Sequence, residues 1–475
     1  MVTGPALAPA LAAGPLGTLQ ATFTGPVVAP GDPGYHAARR VWNGMHASMP
    51  ALIARCTSAR DVSAVLRYAR EARLPVTVRG GGHNVAGTAV ADGAVMIDLS
   101  LMRRVVVDPR KQMAQAEGGC LLGDVDRATT EHDLACPAGV VSHTGLAGLA
   151  LGGGYGWLAR KWGLTCDHIL AAEVVLADGS IVHTRQHPEL LWALRGGGGN
   201  FGIVTRFTLR LREVGPVHQR IGIYALPDAL AALARYARFA AGQPRDMHAV
   251  GALKIAGDQA WIPAALRGRP VLTLTTAWIG PPGRGRAACS PLFDPVPPAA
   301  SAQRVMSYAQ LQALGDHGEP PGHRYYTKSR YLADLSPRSA QGLVAACAAT
   351  KSPLSAIDFG YLRGAIEDVP DAESAFPSRS AAYICTASAQ WLDPAGDREN
   401  IAWAREAIGS VTDEPRGGAY VNYLQDEPDG RVLEVYGEAR YRKLAEIKRR
   451  YDPDNVFRGN QNISPGNSQS TSPNP

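Results

Sequence analysis

The segment Val76-Thr77-Val78-Arg79-Gly80-Gly81-Gly82-His83-Asn84-Val85-Ala86-Gly87 runs from an apolar strand straight into a glycine loop. Just upstream, Val62, Val65, Leu66 and Ala69 recur at helical spacing, and Pro75 closes that helix. Glycine lets a backbone approach a ligand closely and visit positive φ. Successive backbone N–H groups can then form a nest for phosphate oxygens. Two further segments share this character. One runs from Thr144 and Gly145 through Gly148, Gly152, Gly153 and Gly154 to Tyr155 and Gly156; the other from Arg195 through four glycines to Asn200 and Gly202. Three such loops point to a large ligand that carries a pyrophosphate. The third contains a GxGxxG at Gly197, Gly199 and Gly202. A dinucleotide-binding fingerprint follows a strand and opens a helix. Here Gly202 leads into Ile203, Val204 and a strand pattern, so that reading is rejected. No Walker loop, HExxH or GxSxG occurs.

Working outward, strands are expected over Val95 to Leu99 and Val105 to Asp108. A hairpin is expected at Asp178-Gly179-Ser180, between Ala172 to Ala177 and Ile181 to Thr184. Phe207, Leu209 and Leu211 alternate with polar neighbours, which predicts a strand with one wet face. Many strands, a few helices and no regular alternation predict an α+β fold. After Gly215 the pattern changes. Helices are expected over Ala229 to Ala241 and Gly342 to Thr350. Strands are expected over Val271 to Ile279, Ile357 to Leu362 and Ala381 to Trp391, and a proline-rich loop over Pro281 to Ala300. This suits a second domain with an antiparallel sheet covered by helices. Leu444, Ile447 and Tyr451 share one face of a last helix.

The 475 residues suffice for two to three domains at roughly 100–200 residues each. With 45% hydrophobic and 19% charged residues, the balance is globular. The net charge of +6 is dispersed, so no nucleic-acid patch is expected, and the Arg440 to Arg450 cluster reads as the wet face of a helix. Seven cysteines without a CxxC pair argue against a disulfide framework or a metal site. Residues 1–22 lack a basic start and an unbroken apolar core, so they read as a disordered leader, and 466–475 as a disordered tail. No window approaches the ~20 apolar residues of a membrane span, and a cytoplasmic protein is expected.

The stretches RGGGHNVAG, GLAGLALGGGYGWLARKWGL, RGGGGNFGIVT, YVNY and KRRYDPDNVFRGNQNISP together resemble the berberine-bridge-enzyme-like FAD-linked oxidases. These belong to the wider vanillyl-alcohol-oxidase (PCMH-type) flavoprotein group. The likeness runs from about Phe23 to Pro465. It is nearest to polyketide-tailoring members of the enterocin-pathway type, which drive a Favorskii-type rearrangement; the 6-hydroxy-D-nicotine oxidases are more distant. The resemblance implies FAD as cofactor, bound by residues 23–214 as a PCMH-type domain of two α+β subdomains. Residues 416–465 would complete that domain, and 215–415 would form a substrate domain whose sheet covers the flavin. It implies that His83 is joined to the flavin 8α-methyl carbon. Many relatives add a bond through a cysteine eleven residues before the first glycine of GGG. Here that position is Val141, so a single covalent link is expected, with Cys136 a buried thiol. By the same resemblance Arg79, Gly80, Gly81, Gly82, Asn84 and Gly87 lie at the cofactor pyrophosphate. Thr144, Gly145, Gly148, Leu149, Gly152, Gly153 and Gly154 line the flavin, Val204 packs near the adenosine, and Tyr420, Asn422, Asn460 and Asn462 return to the flavin edge.

Flavin oxidation needs a base projecting from the substrate sheet. In Ile357-Asp358-Phe359-Gly360-Tyr361-Leu362, period two puts Asp358, Gly360 and Leu362 on one face. Asp358 is the first candidate base, and Gly360 would let a ring approach. His143, beside Thr144, and Tyr361 are further catalytic candidates, with Tyr155, Tyr326 and Lys328 behind them. The expected partners are a small-molecule substrate and O2. A carrier-protein-bound polyketide is compatible with the polyketide likeness. The readings carried forward are an oxidase of an alcohol, amine or phenol that releases hydrogen peroxide, an oxygenase of an electron-rich secondary metabolite, and a flavin-carrying protein without turnover.

Overall fold

The computed structural model describes Leu19, residues 23–412 and residues 418–466. The expected leader and tail therefore lie outside the described residues apart from Leu19 and Gly466. Leu19 corrects part of that expectation: it is buried in the apolar core of the first sheet.

Three main sheets organise the chain. The first holds β1 (Val27–Val28), β2 (Leu52–Arg55), β3 (Val76–Arg79) and β4 (Val95–Asp98) in the order β1-β2-β4-β3. Strands β2 and β3 both run parallel to β4, because α1 (Ala59–Glu71) carries the chain across between them. Ser58 caps that helix by accepting the Asp61 N–H, and Val62, Val65, Leu66 and Ala69 are fully buried beneath it. The second sheet holds β5 (Val105–Asp108), β6 (Met113–Glu117), β7 (Ile169–Val175), β8 (Ile181–His183) and β9 (Ile203–Arg210), ordered β5-β6-β9-β7-β8. Strands β7 and β8 form the expected hairpin, and β9 follows Gly202 directly. Against this sheet sits the short α2 (Leu146–Leu151), inside the second glycine segment.

The third sheet has seven strands. They are β10 (Val217–Ala225), β11 (Met247–Ile255), β12 (Pro270–Trp278), β13 (Ala300–Met306), β14 (Arg324–Leu332), β15 (Ala356–Tyr361) and β16 (Tyr383–Trp391). The order is β13-β10-β12-β11-β15-β16-β14, and every pairing is antiparallel. One face is apolar: Leu253, Leu272, Leu274, Ile357, Phe359, Cys385 and Ala387 bury against α3 (Ala229–Gly242), α4 (Pro337–Ala348) and α5 (Asp397–Gly409). The chain then returns through α6 (Glu438–Tyr451) to the first two sheets. The fold is α+β, as expected.

Two expectations change. The supposed loop from Pro281 to Ala300 contains a helix, Gly285–Phe293, in which burial of Cys289, Leu292 and Phe293 outweighs the break expected at Pro291. Lys448, taken for part of a wet face, has no exposed side-chain surface. It pairs with Asp452 at 2.6 Å and donates to the Asn200 and Phe457 carbonyls. All seven cysteines are free and buried. Among the described residues no helix is long and apolar enough to cross a membrane, and no cluster of His, Cys, Asp or Glu is arranged to hold a metal ion.

Candidate functional site

The open face of the seven-stranded sheet looks across a cavity of about 1050 Å³ at the glycine loops. Register explains the sheet wall. Thr273, Ala252, Asp358 and Thr386 are successive cross-strand partners, as are Thr275, Val250, Gly360 and Ile384. All eight line the cavity. The opposite wall is built by Gly80, Gly81, Gly82, His83 and Asn84 from the first loop and by Val141, Thr144, Gly145, Gly148 and Leu149 from the second. Gly197, Gly198, Gly199, Asn200 and Val204 extend it, and Tyr420, Asn422 and Asn460 close it.

The first two loops touch through bare backbone. A Cβ on Gly81 would lie 2.4 Å from the Gly145 nitrogen, so both positions must be glycine. At Gly148 a Cβ would meet no protein atom within 4 Å and would project into open space beside the wall.

His83 stands at the rim of this cradle in a ring stack. Trp42 lies parallel to it with centroids 4.1 Å apart, and Tyr325 covers the other side of Trp42 at 3.7 Å. The His143 ring is 5.0 Å away. Burial, reinforced by the positive charge His143 would carry, pushes His83 down to about 3. The imidazole is therefore neutral near pH 7, and its Nε2 is buried without a hydrogen-bond partner among the described residues.

Asp358 is exposed on the cavity wall, in the middle of the sheet. Desolvation raises its carboxyl to about 6, with Lys254 pulling the other way. Glu319, on the loop before β14, lines the same cavity and is raised to about 8 by burial and by Asp358. Near pH 7 Asp358 is mainly ionised and Glu319 mainly neutral.

Several expected site residues have other work. Tyr361 points to the helix-covered face, packs on Tyr383 at 5.0 Å and carries the Arg160 guanidinium over its ring, because residue 361 has the opposite parity to Asp358. It does not line the cavity, and its candidacy as a catalytic residue is corrected. His143 stands behind His83 rather than in the wall. Arg79 binds Asp98 (Nε to Oδ1 3.0 Å) and the Arg40 carbonyl, holding the first sheet together. Gly87 makes room for the His46 ring, which a Cβ would approach to 2.3 Å. Gly152, Gly153 and Gly154 do not reach the wall. A Cβ on Gly152 would strike Asn422 at 1.9 Å, one on Gly153 the Phe376 ring at 2.6 Å, and the Gly154 N–H donates to the Tyr420 hydroxyl at 2.8 Å. Gly152 and Gly154 seat the returning C-terminal segment, and Gly153 seats the Phe376 ring. Asn462 is also outside the wall, although its Oδ1 is buried without a partner among the described residues. Tyr326 and Lys328 face away, toward Arg405 and Glu427.

Sequence reading passed over Trp42, Trp157, Gln219, His248, Lys254, Glu319 and Tyr423, all of which line the cavity. Tyr423 belonged to the quoted YVNY stretch. Gln219, His248 and Lys254 share strand parity with their cavity-facing neighbours, a signal that becomes readable once β10 and β11 are recognised as strands. Trp42 and Glu319 arrive on loops and left no periodic trace.

Residues 50–185 match the family model of an FAD binding domain, and residues 419–464 match the model "berberine and berberine like". Over 456 residues the chain is 31% identical to (R)-6-hydroxynicotine oxidase of Paenarthrobacter nicotinovorans, covering 94% of this chain and 97% of that one. An uncharacterised FAD-linked oxidoreductase of Bacillus subtilis is 29% identical over 454 residues, covering 93% and 97%. Among solved structures, 6-hydroxy-D-nicotine oxidase from Arthrobacter nicotinovorans superposes with a TM-score of 0.80 at 28% identity, over 94% of this chain and 98% of that one. The berberine-bridge-enzyme-like protein 1 of Physcomitrella patens shares the fold, with a TM-score of 0.83 at 23% identity over 93% and 97%. The likeness thus runs over nearly the whole chain, in sequence and in fold. The chain belongs to the berberine-bridge-enzyme-like FAD-linked oxidoreductases.

Proposed function

We propose that this enzyme holds FAD through one covalent bond to His83 and oxidises a small secondary metabolite, aromatic, phenolic or polyketide in kind, with O2 as the final acceptor. Residues 23–214 with 416–465 would hold the cofactor, and 215–415 the substrate. The observation that carries the reading is the state of His83. It is a neutral imidazole with an unpartnered nitrogen, clamped by Trp42 at the edge of a cavity lined by glycines. A neutral imidazole keeps a lone pair for bonding to carbon. The residues present fit the cofactor. Gly148 leaves room a side chain would fill, and the Asn460 Oδ1 in the wall lacks a partner among the described residues. Val141 stands where a second link would require a thiol, and Cys136 is buried away from the cavity.

FAD held in this cradle would supply a hydride acceptor for substrate carbon. Asp358 takes the proton from the neighbouring hydroxyl or amine, in a position fixed by the register between β11 and β16. Glu319, held neutral, donates a hydrogen bond to a substrate oxygen. The stack of Tyr325 and Trp42 keeps His83 in one orientation.

The covalent link is tested by denaturing the protein on a gel and viewing it under ultraviolet light. Wild type and Cys136→Ala should fluoresce and His83→Ala should not. A dark wild-type band overturns the reading. A second reading, transfer of an oxygen atom to the substrate, is favoured by Thr144 and Leu149 lying in the cavity wall, since these match the positions that shape the oxygen pocket in the polyketide-tailoring relatives. Isotope-labelled O2 separates the two. Label in the product supports oxygenation, and label confined to peroxide supports the simple oxidase.

A further inference from the structure

The glycine loops account for one wall of the cavity. At one end of the sheet wall lies a polar cluster outside that cradle. Gln219 of β10 and His248 of β11 are both cross-strand partners of Ala277 on β12. The Ala277 methyl between them is fully buried in an apolar cluster against which Trp157 packs. The Trp157 indole meets His248 edge-on there, with centroids 5.7 Å apart and planes at 82°. All three residues line the cavity, and Gln219 and His248 are each only 5% exposed. Trp157 Nε1 and His248 Nδ1 are buried without a hydrogen-bond partner among the described residues. A buried donor or acceptor left bare is costly, so such atoms mark where a ligand group or an ordered water belongs.

We propose that Trp157, Gln219 and His248 form a recognition subsite for the far end of the substrate, and that this end carries a neutral oxygen function, a hydroxyl or carbonyl. The proposal rests on the reading of this cavity as the oxidation site with Asp358 at its reacting end.

The chemistry of the three side chains sets the class of group. The indole only donates. The carboxamide donates and accepts. The imidazole is kept neutral by burial and by the charge of Arg160, which push it down to about 3, so it too offers one donor and one acceptor. A carboxylate or phosphate would need a free cation. Arg160, the cation that bears on His248, is committed to the carbonyls of Met247, Leu362 and Gln243. Geometry sets the length. His248 lies four residues along β11 from Ala252, which faces Asp358 across the strands, a span of about 13 Å at the rise of a β-strand. The substrate is therefore elongated, of the order of two linked or fused rings, with oxygen at both ends. Gln219 also lines the adjoining cavity of about 510 Å³ beside Lys254, Arg304 and His317, whereas Trp157 and His248 do not, so the subsite borders that opening on its Gln219 side.

Calorimetry on the flavin-loaded protein tests this with two probes that differ by one hydroxyl, para,para′-biphenol and para-phenylphenol. On wild type the diol should bind roughly tenfold more tightly, the return of one well-made hydrogen bond. Trp157→Phe and His248→Leu should each bring that ratio toward one. Equal affinities on wild type would mean that the cluster holds an ordered water only, and would overturn the proposal. So would a ratio that survives both substitutions, or no binding of either probe. Flavin absorbance per protein is measured on every preparation. Protein without flavin defeats the underlying reading of the cavity, whereas normal flavin with an unchanged probe ratio defeats the subsite alone.

Discussion

At the scale of single residues, two carboxyl groups in one cavity divide their roles because burial acts on both and Lys254 relieves only Asp358. Asp358 works as a base only when ionised, so kcat/KM should rise with pH and level off above an apparent pKa near 6. Asp358→Asn should lower the rate by about 10²–10⁴, the usual contribution of a positioned base. A variant retaining more than about a tenth of the wild-type rate would remove Asp358 from the chemistry. Glu319 makes a second, thermodynamic statement. Its folded-state pKa of about 8 lies above the value for an unfolded glutamate, so its favourable contribution to stability is present at low pH and is lost as pH rises through about 8. Thermal melts of wild type should fall between about pH 4.5 and pH 8, the unfolded and folded values of this group, and Glu319→Gln should flatten the fall. An identical slope in the variant would assign the loss to another group.

At the scale of elements, the cradle depends on two loops that meet without side chains. Gly81→Ala would put a methyl 2.4 Å from the Gly145 nitrogen and force β3's loop away from the start of α2. Overpacking of this kind costs about 1–3 kcal/mol. The expected result is a lower melting temperature together with reduced flavin content per protein. Full flavin content at wild-type stability would mean that the loops can separate freely. The same logic explains Gly152, Gly153 and Gly154. Their run suggested a ligand cradle, yet the ligand they accommodate is the chain itself, in Asn422, Phe376 and Tyr420. A glycine run reports close approach and does not report by what.

At the scale of the whole molecule, the C-terminal segment locks the cofactor side to its own last helix. Lys448 and Asp452, one turn apart on α6 and its end, are wholly buried, with Asp452 also accepting the Val456 and Phe457 N–H groups. Lys448→Met would leave a carboxylate buried without its cation, at a cost of about 3–5 kcal/mol. Urea denaturation should show a correspondingly lower midpoint, and an unchanged midpoint would show that Asp452 is neutral or hydrated. Asn200 joins the third glycine segment to this region through the Gln461 carbonyl and the Ile463 N–H, so the loss should extend to the cofactor loops.

The sequence by itself determined the α+β class, the strand that launches the first glycine loop, the hairpin at Gly179 and the parity that sets Asp358 apart from Phe359. Each rests on local periodicity or turn chemistry, which short-range sterics enforce wherever the chain goes. Tertiary structure alone decided which glycines face a ligand and which face Asn422 or His46, since a missing side chain looks the same in both settings. Parity already set Tyr361 on the face opposite Asp358, and tertiary structure decided that helices cover that face. It also brought Trp42, Trp157, His248 and Glu319 to one cavity from distant loops and strands. Those contacts are long-range, and the signature that Trp157 and His248 carry, a polar atom buried without a partner among the described residues, exists only after the chain has closed around it.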